Sequence, residues 1–305
     1  MENEESYLQP RTLWNKVVEK TKYARLSGAL QSIETAYEFI EQDGISFLVR
    51  TLTNIARKEK AKEKQDRQTR KTGKEFNPFL PYEEDLFVTD ISATHLCLLN
   101  KFNVVDHHLL IVTRAFEDQE NWLNERDFAA LWACMQEIDG LAFYNGGKIA
   151  GASQKHKHLQ LVPLPFVPQK ENLPITPAIA SAVFDDSLGK IPSFPFCHGL
   201  AKLNLTSSDS PETAAQAMLS CYYFLLESVG LSVNKNNEQQ SGAYNLLATK
   251  EWMLIVPRSQ ESFQSISINS LGFAGSLFVR DRQQKKILKQ LSPMTILSNV
   301  ATLKN

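Results

Sequence analysis

Gly151-Ala152-Ser153-Gln154-Lys155-His156-Lys157-His158-Leu159-Gln160-Leu161-Val162-Pro163 joins a turn of small residues to an alternating segment. In a strand over residues 155–162, side chains two apart share a face. His156, His158, Gln160 and Val162 then point one way, and Lys157, Leu159 and Leu161 the other. Two imidazoles and an amide on one strand face make a poor core and a good site. Just upstream, Asn145–Ser153 carries three glycines in nine residues, which lets backbone amides come close to a ligand.

The rest of the chain narrows the class of protein. At 305 residues, with 43% hydrophobic and 22% charged side chains, it has material for one large or two smaller globular units. A net charge of −1 argues for no global attraction to nucleic acid or membrane. Cys97, Cys134, Cys197 and Cys221 are scattered, with no C-x-x-C pair, so buried reduced thiols are expected rather than a zinc site or a disulfide framework. The acidic N-terminus does not resemble a signal peptide, and no apolar run reaches the length of a membrane span. A cytoplasmic protein is the expectation.

Outward from the central stretch, residues 11–43 show helical spacing in Leu13, Val17, Val18, Thr21 and Ala24, and again in Leu30, Ile33, Ala36, Phe39 and Ile40. Asp43-Gly44 ends that pattern and Ile45–Thr51 reads as a strand. Residues 56–75 hold nine Lys/Arg against four Asp/Glu and read as a solvated loop, Arg57-Lys58 being the part retained as a ligand contact. Asn77-Pro78-Phe79-Leu80-Pro81-Tyr82 reads as an extended, docked turn. Strands follow over 86–91, 94–99 and 107–113, with Asn100-Lys101-Phe102-Asn103 between the last two. His107 and His108 are adjacent, so on a strand they face opposite ways and a structural role is expected of them. Residues 124–140 form an amphipathic helix capped by Asn124, with Glu125 and Asp127 in its first turn. In the second half, Ser210-Pro211 opens a helix over 211–230, 244–248 and 252–257 form a hairpin, and the end is helical. Both halves contain a long helix, a strand ending in Val-Pro and a Gly-rich loop, which suggests a pseudo-repeat.

A neutral imidazole attacks phosphorus and leaves again as a protonated ring, splitting a transfer into two displacements. It needs an acceptor on its other nitrogen to fix the tautomer, and donors for the non-bridging oxygens. His158 suits the nucleophile, His156 a supporting role, and Gln160 supplies an amide donor that does not titrate.

Gln154–Pro163 resembles the active strand of the histidine triad superfamily. His156 and His158 match the first and middle histidines, the middle one forming the nucleotidyl intermediate in that group, while Gln160 replaces the third. That replacement resembles the transferase branch, which includes the galactose-1-phosphate uridylyltransferases. Within it, residues 77–82, 98–104, 108–113, 144–160, 244–257 and 271–276 resemble the diadenosine tetraphosphate phosphorylases, or ATP adenylyltransferases, over about residues 45 to 280.

The resemblance implies an α+β, histidine-triad-like fold of two related half-units, an antiparallel sheet with packed helices. We divide it at 1–168, with the catalytic strand, and 169–305, completing the nucleotide site. It further implies phosphorolysis of diadenosine tetraphosphate to ADP and ATP through adenylyl-His158. The family's nucleotide contacts fall on Lys58, Asn100, Lys101, Asn145, Gly151, Ala152, Ser153, Gln154, Gln160, Asn269, Ser270, Leu271, Ser276 and Arg280. Arg280 stands where a lysine is expected, and the two cations differ in phosphate geometry. No organic cofactor is implied. Magnesium enters as a polyphosphate counter-ion with no legible ligand set, and the only partners expected are small-molecule nucleotides and phosphate, with a monomer as default. Two other readings are a hexose-1-phosphate uridylyltransferase, against which stands the lack of a Cys/His zinc constellation, and a dinucleotide-binding protein without catalysis.

Overall fold

Alternation of apolar side chains builds one large sheet whose two faces carry separate cores. A computed structural model describes residues 8–52, 76–168, 170, 172–232 and 237–304; Lys58 and the whole basic stretch of residues 56–75 lie outside them. Ten strands pair in the order β3 (Phe87–Asp90), β4 (His95–Leu99), β5 (Leu109–Thr113), β7 (His158–Pro163), β6 (Gly140–Gly146), β11 (Tyr244–Ala248), β12 (Trp252–Pro257), β10 (Gly199–Lys202), β9 (Leu188–Lys190) and β8 (Val183–Asp185). All of these pairings are antiparallel. Leu159, Leu161, Ala142, Tyr144, Leu246 and Ile255 bury one face against α2 (Glu125–Met135) and α4 (Pro211–Ser228). Leu141, Phe143, Val162, Leu247, Leu254 and Val256 bury the other. There they meet a three-stranded sheet of β1 (Thr35–Gln42), β2 (Ile45–Leu52) and β15 (Ser276–Val279), with α3 (Thr176–Ala180), α5 (Ser270–Phe273), α6 (Arg282–Leu291) and α7 (Pro293–Val300).

The strand order is symmetric about the β6–β11 seam. Stepping outward, β7, β5 and β4 on one side answer β12, β10 and β9 on the other. Each half-unit runs strand, strand, helix, strand, strand, and α2 packs on α4 behind the seam. This is the two-half architecture implied by the sequence.

Two expectations change. Residues 11–43 are not one helix. α1 covers Leu13–Ser27 and stops where Gly28 turns left-handed at φ 79°, a conformation that glycine enters without a Cβ clash. Residues 35–42 instead pair with residues 45–52 over eight rungs. Asp43 (φ 51°) and Gly44 (φ 77°) close the hairpin, as an Asp-Gly turn with two positive φ values does. The helix beginning at Glu125 ends at Met135 rather than 140. Its start is as read: the Asn124 side chain accepts from the Arg126 and Asp127 amides, and Asp127 accepts from the Asn124 amide, a reciprocal cap worth about 1 kcal/mol.

Candidate active site

His158 opens β7, directly across from Val112 on β5, and Gln160 lies across from Leu110 and Phe143. Val112, Leu110 and Phe143 are almost wholly buried, so the imidazole stands on an apolar floor. Burial pulls the His158 ring down to about 4 from its ordinary 6.5, because an apolar surround disfavours the charged form. Its Nδ1 lies 2.8 Å from the carbonyl oxygen of His156. A carbonyl only accepts, so Nδ1 carries the proton and Nε2 the lone pair. This is the tautomer of a nucleophile.

The backbone of His158 is held by a residue with no signal in the sequence. Gln119 Oε1 accepts from the His158 amide at 2.8 Å, and its Nε2 donates to the Asn145 carbonyl at 3.0 Å and the His158 carbonyl at 3.3 Å. Its own amide donates to the Lys155 carbonyl at 2.6 Å and Tyr144 donates to its carbonyl. Where the β6–β7 ladder ends at Phe143 and Gln160, this side chain takes over the rungs.

His156 lies outside the ladder, bridging Asp118. Its Nε2 donates to the Thr113 carbonyl at 2.7 Å, and its Nδ1 accepts from Asn77 Nδ2 at 2.9 Å. With both nitrogens bonded, the ring is a strut. It fixes the 77–82 turn, whose Phe79 ring lies 5.5 Å from His156 and 5.4 Å from His158, as the docked turn expected there requires. Lys157, on the opposite face, is buried between Glu117 Oε2 at 2.8 Å and Asp127 Oδ2 at 3.2 Å. His95 Nε2 meets the other Asp127 oxygen at 3.0 Å, and these hydrogen bonds with the lysine's charge hold the Asp127 carboxyl below its usual range against the desolvation that would raise it. Asp127, noted in the sequence only as a helix-dipole acid, thus anchors α2 beneath the catalytic strand.

Gln160 has a defined orientation. Its Oε1 accepts from His108 Nε2 at 2.9 Å, and His108 Nδ1 faces Asn100 Nδ2 at 3.3 Å. The amide nitrogen of Gln160 is therefore the donor left for a ligand on the strand face. His108, expected to be structural, orients Gln160 through this hydrogen bond, whereas His107 packs on Trp14 and bonds Thr21.

The remaining candidates fall into three groups. Gly151, Ala152, Ser153 and Gln154 form the loop entering His156, but the Gly151 and Ala152 amides already donate to Lys148 and Gly147 carbonyls. Gly151 is at φ 91°, and a Cβ there would lie 2.9 Å from the Asn269 side chain and from the Ile268 carbonyl, so two loops meet at it. Asn145 and Ser270 are buried and bonded to each other: Asn145 Oδ1 accepts from Ser270 N at 2.9 Å, Ser270 Oγ at 2.8 Å and Asn245 Nδ2 at 2.9 Å. Asn269 caps the turn through the Leu271 amide. Arg258, which the sequence did not mark, ties these loops together, donating to Asn245 Oδ1 at 2.6 Å and to the Ile268 and Ala150 carbonyls. Lys101 pairs with Glu83 at 2.6 Å on the surface. Ser276 is buried on β15 and Arg280 is exposed beyond it. Among the described residues no hydrogen bond joins either side chain to the His158 group.

The family described as Ap4A phosphorylase N-terminal domain matches residues 3–181. The chain belongs to this family. Residues 192–302 match the ATP adenylyltransferase C-terminal domain. Diadenosine 5',5'''-P1,P4-tetraphosphate phosphorylase 2 of Saccharomyces cerevisiae is 31% identical over 255 residues, 74% of this chain and 76% of that one. The crystal structure of yeast Ap4A phosphorylase Apa2 superposes with a TM-score of 0.76 at 24% identity, over 98% of this chain and 100% of that one. The same enzyme in complex with Ap4A gives 0.75 at 22% identity, over the same shares. These structures share the fold, and the α+β architecture expected for this family is the one observed.

Proposed function

We propose that this Ap4A phosphorylase family member transfers the adenylyl group of diadenosine tetraphosphate to phosphate through His158, releasing ATP and then ADP, reversibly. One observation carries the reading: the His158 ring is locked with its proton on Nδ1 and a neutral Nε2, beside a Gln160 amide whose carbonyl is already tied to His108. Family membership and the relative named above support it.

In the first displacement Nε2 attacks the α-phosphorus of one adenosine. The bond from that phosphorus to the oxygen bridging to the next phosphate breaks, and ATP leaves with the electron pair. In the second, a phosphate oxygen attacks the same phosphorus, the P–N bond breaks, and ADP leaves. Gln160 donates to a non-bridging oxygen as charge shifts onto it. Phosphate brings an ionised oxygen and needs no base, whereas water must lose a proton, and a neutral amide does not accept one. Gln160 therefore favours phosphate as acceptor. Ser153 and Gln154, in the loop that enters His156, can donate to phosphate oxygens. Asn145, Ser270 and the Gly151 turn shape the loops around them.

Magnesium fits this scheme as an ion carried by the polyphosphate. Among the described residues no three His, Cys, Asp or Glu side chains lie together as a metal site, and the buried carboxylate nearest the catalytic strand, Asp127, is held by Lys157 and His95. We take the acting species as a single chain. No helix among the described residues is long and apolar enough to cross a membrane.

The test is incubation with diadenosine tetraphosphate with and without phosphate. ATP plus ADP formed only with phosphate is the expected result. Symmetric cleavage to two ADP, or turnover that ignores phosphate, would overturn it.

A further inference from the structure

The large sheet splits beside His158. β6 and β7 pair from Gly140 with Pro163 as far as Phe143 with Gln160; two residues further, the same register would set Asn145 against His158. Each of those residues stays with its other neighbour instead, Asn145 with Asn245 on β11 and His158 with Val112 on β5. His158 therefore stands on one lip of the split. The other lip leads into Gly146-Gly147 and the loop that ends at Gln154.

One side chain fills the split. Gln119 is 1% exposed, and its amide does the bonding of a missing peptide unit. Oε1 accepts from the His158 amide at 2.8 Å, while Nε2 donates to the Asn145 carbonyl at 3.0 Å and the His158 carbonyl at 3.3 Å. Directly paired strands lie about 4.8 Å apart, and an interposed amide holds the two backbones wider than that. The segment that delivers Gln119 is itself clamped to β7. The Lys157 amide donates to the Glu117 carbonyl at 2.8 Å and the Gln119 amide to the Lys155 carbonyl at 2.6 Å, and the Lys157 ammonium pairs with Glu117. An apolar side chain of the same length would fill this space equally well. It would lose the donor and acceptor pattern that ties both lips to one group.

We propose that Gln119 is a positioning residue for adenylyl transfer: it sets the width of the split, and so the reach from His158 to a nucleotide held on the Asn145 side. This rests on the transferase reading above. Gln119 touches no reacting atom. It acts on the approach of His158, where a misplacement of about 1 Å costs on the order of 10² in rate.

The test measures phosphate-dependent ADP formation from diadenosine tetraphosphate over about pH 5 to 8, with AMP affinity and melting temperature taken on the same proteins. Gln119→Met keeps the length and loses every side-chain bond. It is expected to lose about 10² in kcat, with KM and AMP affinity little changed. Gln119→Glu separates the two ends of the amide. Ionised, it accepts from the His158 amide but turns a negative charge on two carbonyl oxygens; protonated, its O–H donates to one of them. Burial and those oxygens favour the protonated form, so kcat of the Glu variant is expected to rise as pH falls, while wild type stays flat and the Met variant stays low. The titratable groups around Gln119 are His156, His158 and Lys157 on the catalytic segment, Tyr144 on β6, and Glu117 and Asp118 on its own segment. All three proteins share them, so the wild-type profile controls for them, and proton uptake by His156 or His158, both lowered by burial, would slope the other way. Wild-type kcat in Gln119→Met overturns the proposal, as do a loss confined to KM, an equal loss of kcat and AMP affinity, and a Glu variant that is flat or falls toward acid. Should Gln119→Met not fold, the slope of the Glu variant decides alone. If wild type forms no ADP, the transferase reading itself falls, a result that no variant can mimic.

Discussion

At the scale of single residues, the site works by fixing which nitrogen is bare and which amide end is free. The His158 ring is neutral because it is desolvated, and burial holds it near 4 where an exposed imidazole titrates at 6.5. The sign follows: His158, as the proposed nucleophile, loses its lone pair to a proton only as pH falls through the lowered value. The internal phosphates of the dinucleotide stay ionised over the same range. Single-turnover release of ATP is therefore expected to be flat from about pH 5 to 8, and an acid limb centred near 6.5 would contradict the buried-tautomer account. In the proposed transfer Gln160 acts differently, contributing as charge builds on the phosphoryl oxygens. Replacing one such donor costs on the order of 10²–10³ in kcat in comparable sites. Gln160→Ala is expected to lose kcat in that range with a much smaller change in KM. A change confined to KM, measured in steady state, would make Gln160 a binding residue only.

At the scale of elements, glycines show the difference between a turn and a contact. Gly44 is at φ 77° with nothing within 4 Å of a built Cβ, so Gly44→Ala carries only the left-handed penalty, roughly 1 kcal/mol. Gly151 is at φ 91° and its Cβ would press on Asn269 and Ile268. Gly151→Ala is expected to cost more stability in urea unfolding and to raise the KM for dinucleotide, while Gly44→Ala leaves KM alone. Identical behaviour of the two variants would show that the loop apposition is not part of the site. The same contrast explains what could be read from the chain. The hairpin of β11 and β12 was legible residue for residue, because continuous apolar runs flank a polar turn and both faces are buried. The segment after Gly28 was not, because Leu30, Ile33, Ala36, Phe39 and Ile40 satisfy helical spacing by coincidence, while pairing with residues 45–52 decides the outcome. His158 and Gln160 sit on one face as alternation demands, whereas His156 precedes the strand and meets the same Phe79 ring from outside the ladder. His108 and Gln119 were invisible because they reach the site only through the β5–β7 register and a loop that folds back over the end of the ladder. Neither arises from local sequence.

At the scale of the whole molecule, the pseudo-symmetry sets how many times the chemistry occurs. Aligning the Val-Pro ends of β7 and β12 places Trp252 where His158 stands, Leu254 where Gln160 stands and Lys250 where His156 stands. Trp252 and Leu254 belong to the apolar core under β1, β2 and β15, so the second half-unit uses for packing the face on which the first carries His158 and Gln160. The seam between the halves pairs Asn145 with Asn245, and Asn245 with Arg258 holds the Ala150 and Ile268 carbonyls. The second half thus supports the first one's loops without duplicating His158. The consequence is a stoichiometry. Wild type mixed with excess diadenosine tetraphosphate in the absence of phosphate is expected to reach a plateau of one adenylyl group per chain by intact mass, mapped to the peptide holding His158. His158→Ala is expected to carry none while keeping its melting temperature within a few degrees, because the ring donates only to the carbonyl of His156, two residues away. Two groups per chain, or an adduct that survives His158→Ala, would mean that a nucleophile outside β7 takes part, and the division of labour between the halves would have to be redrawn.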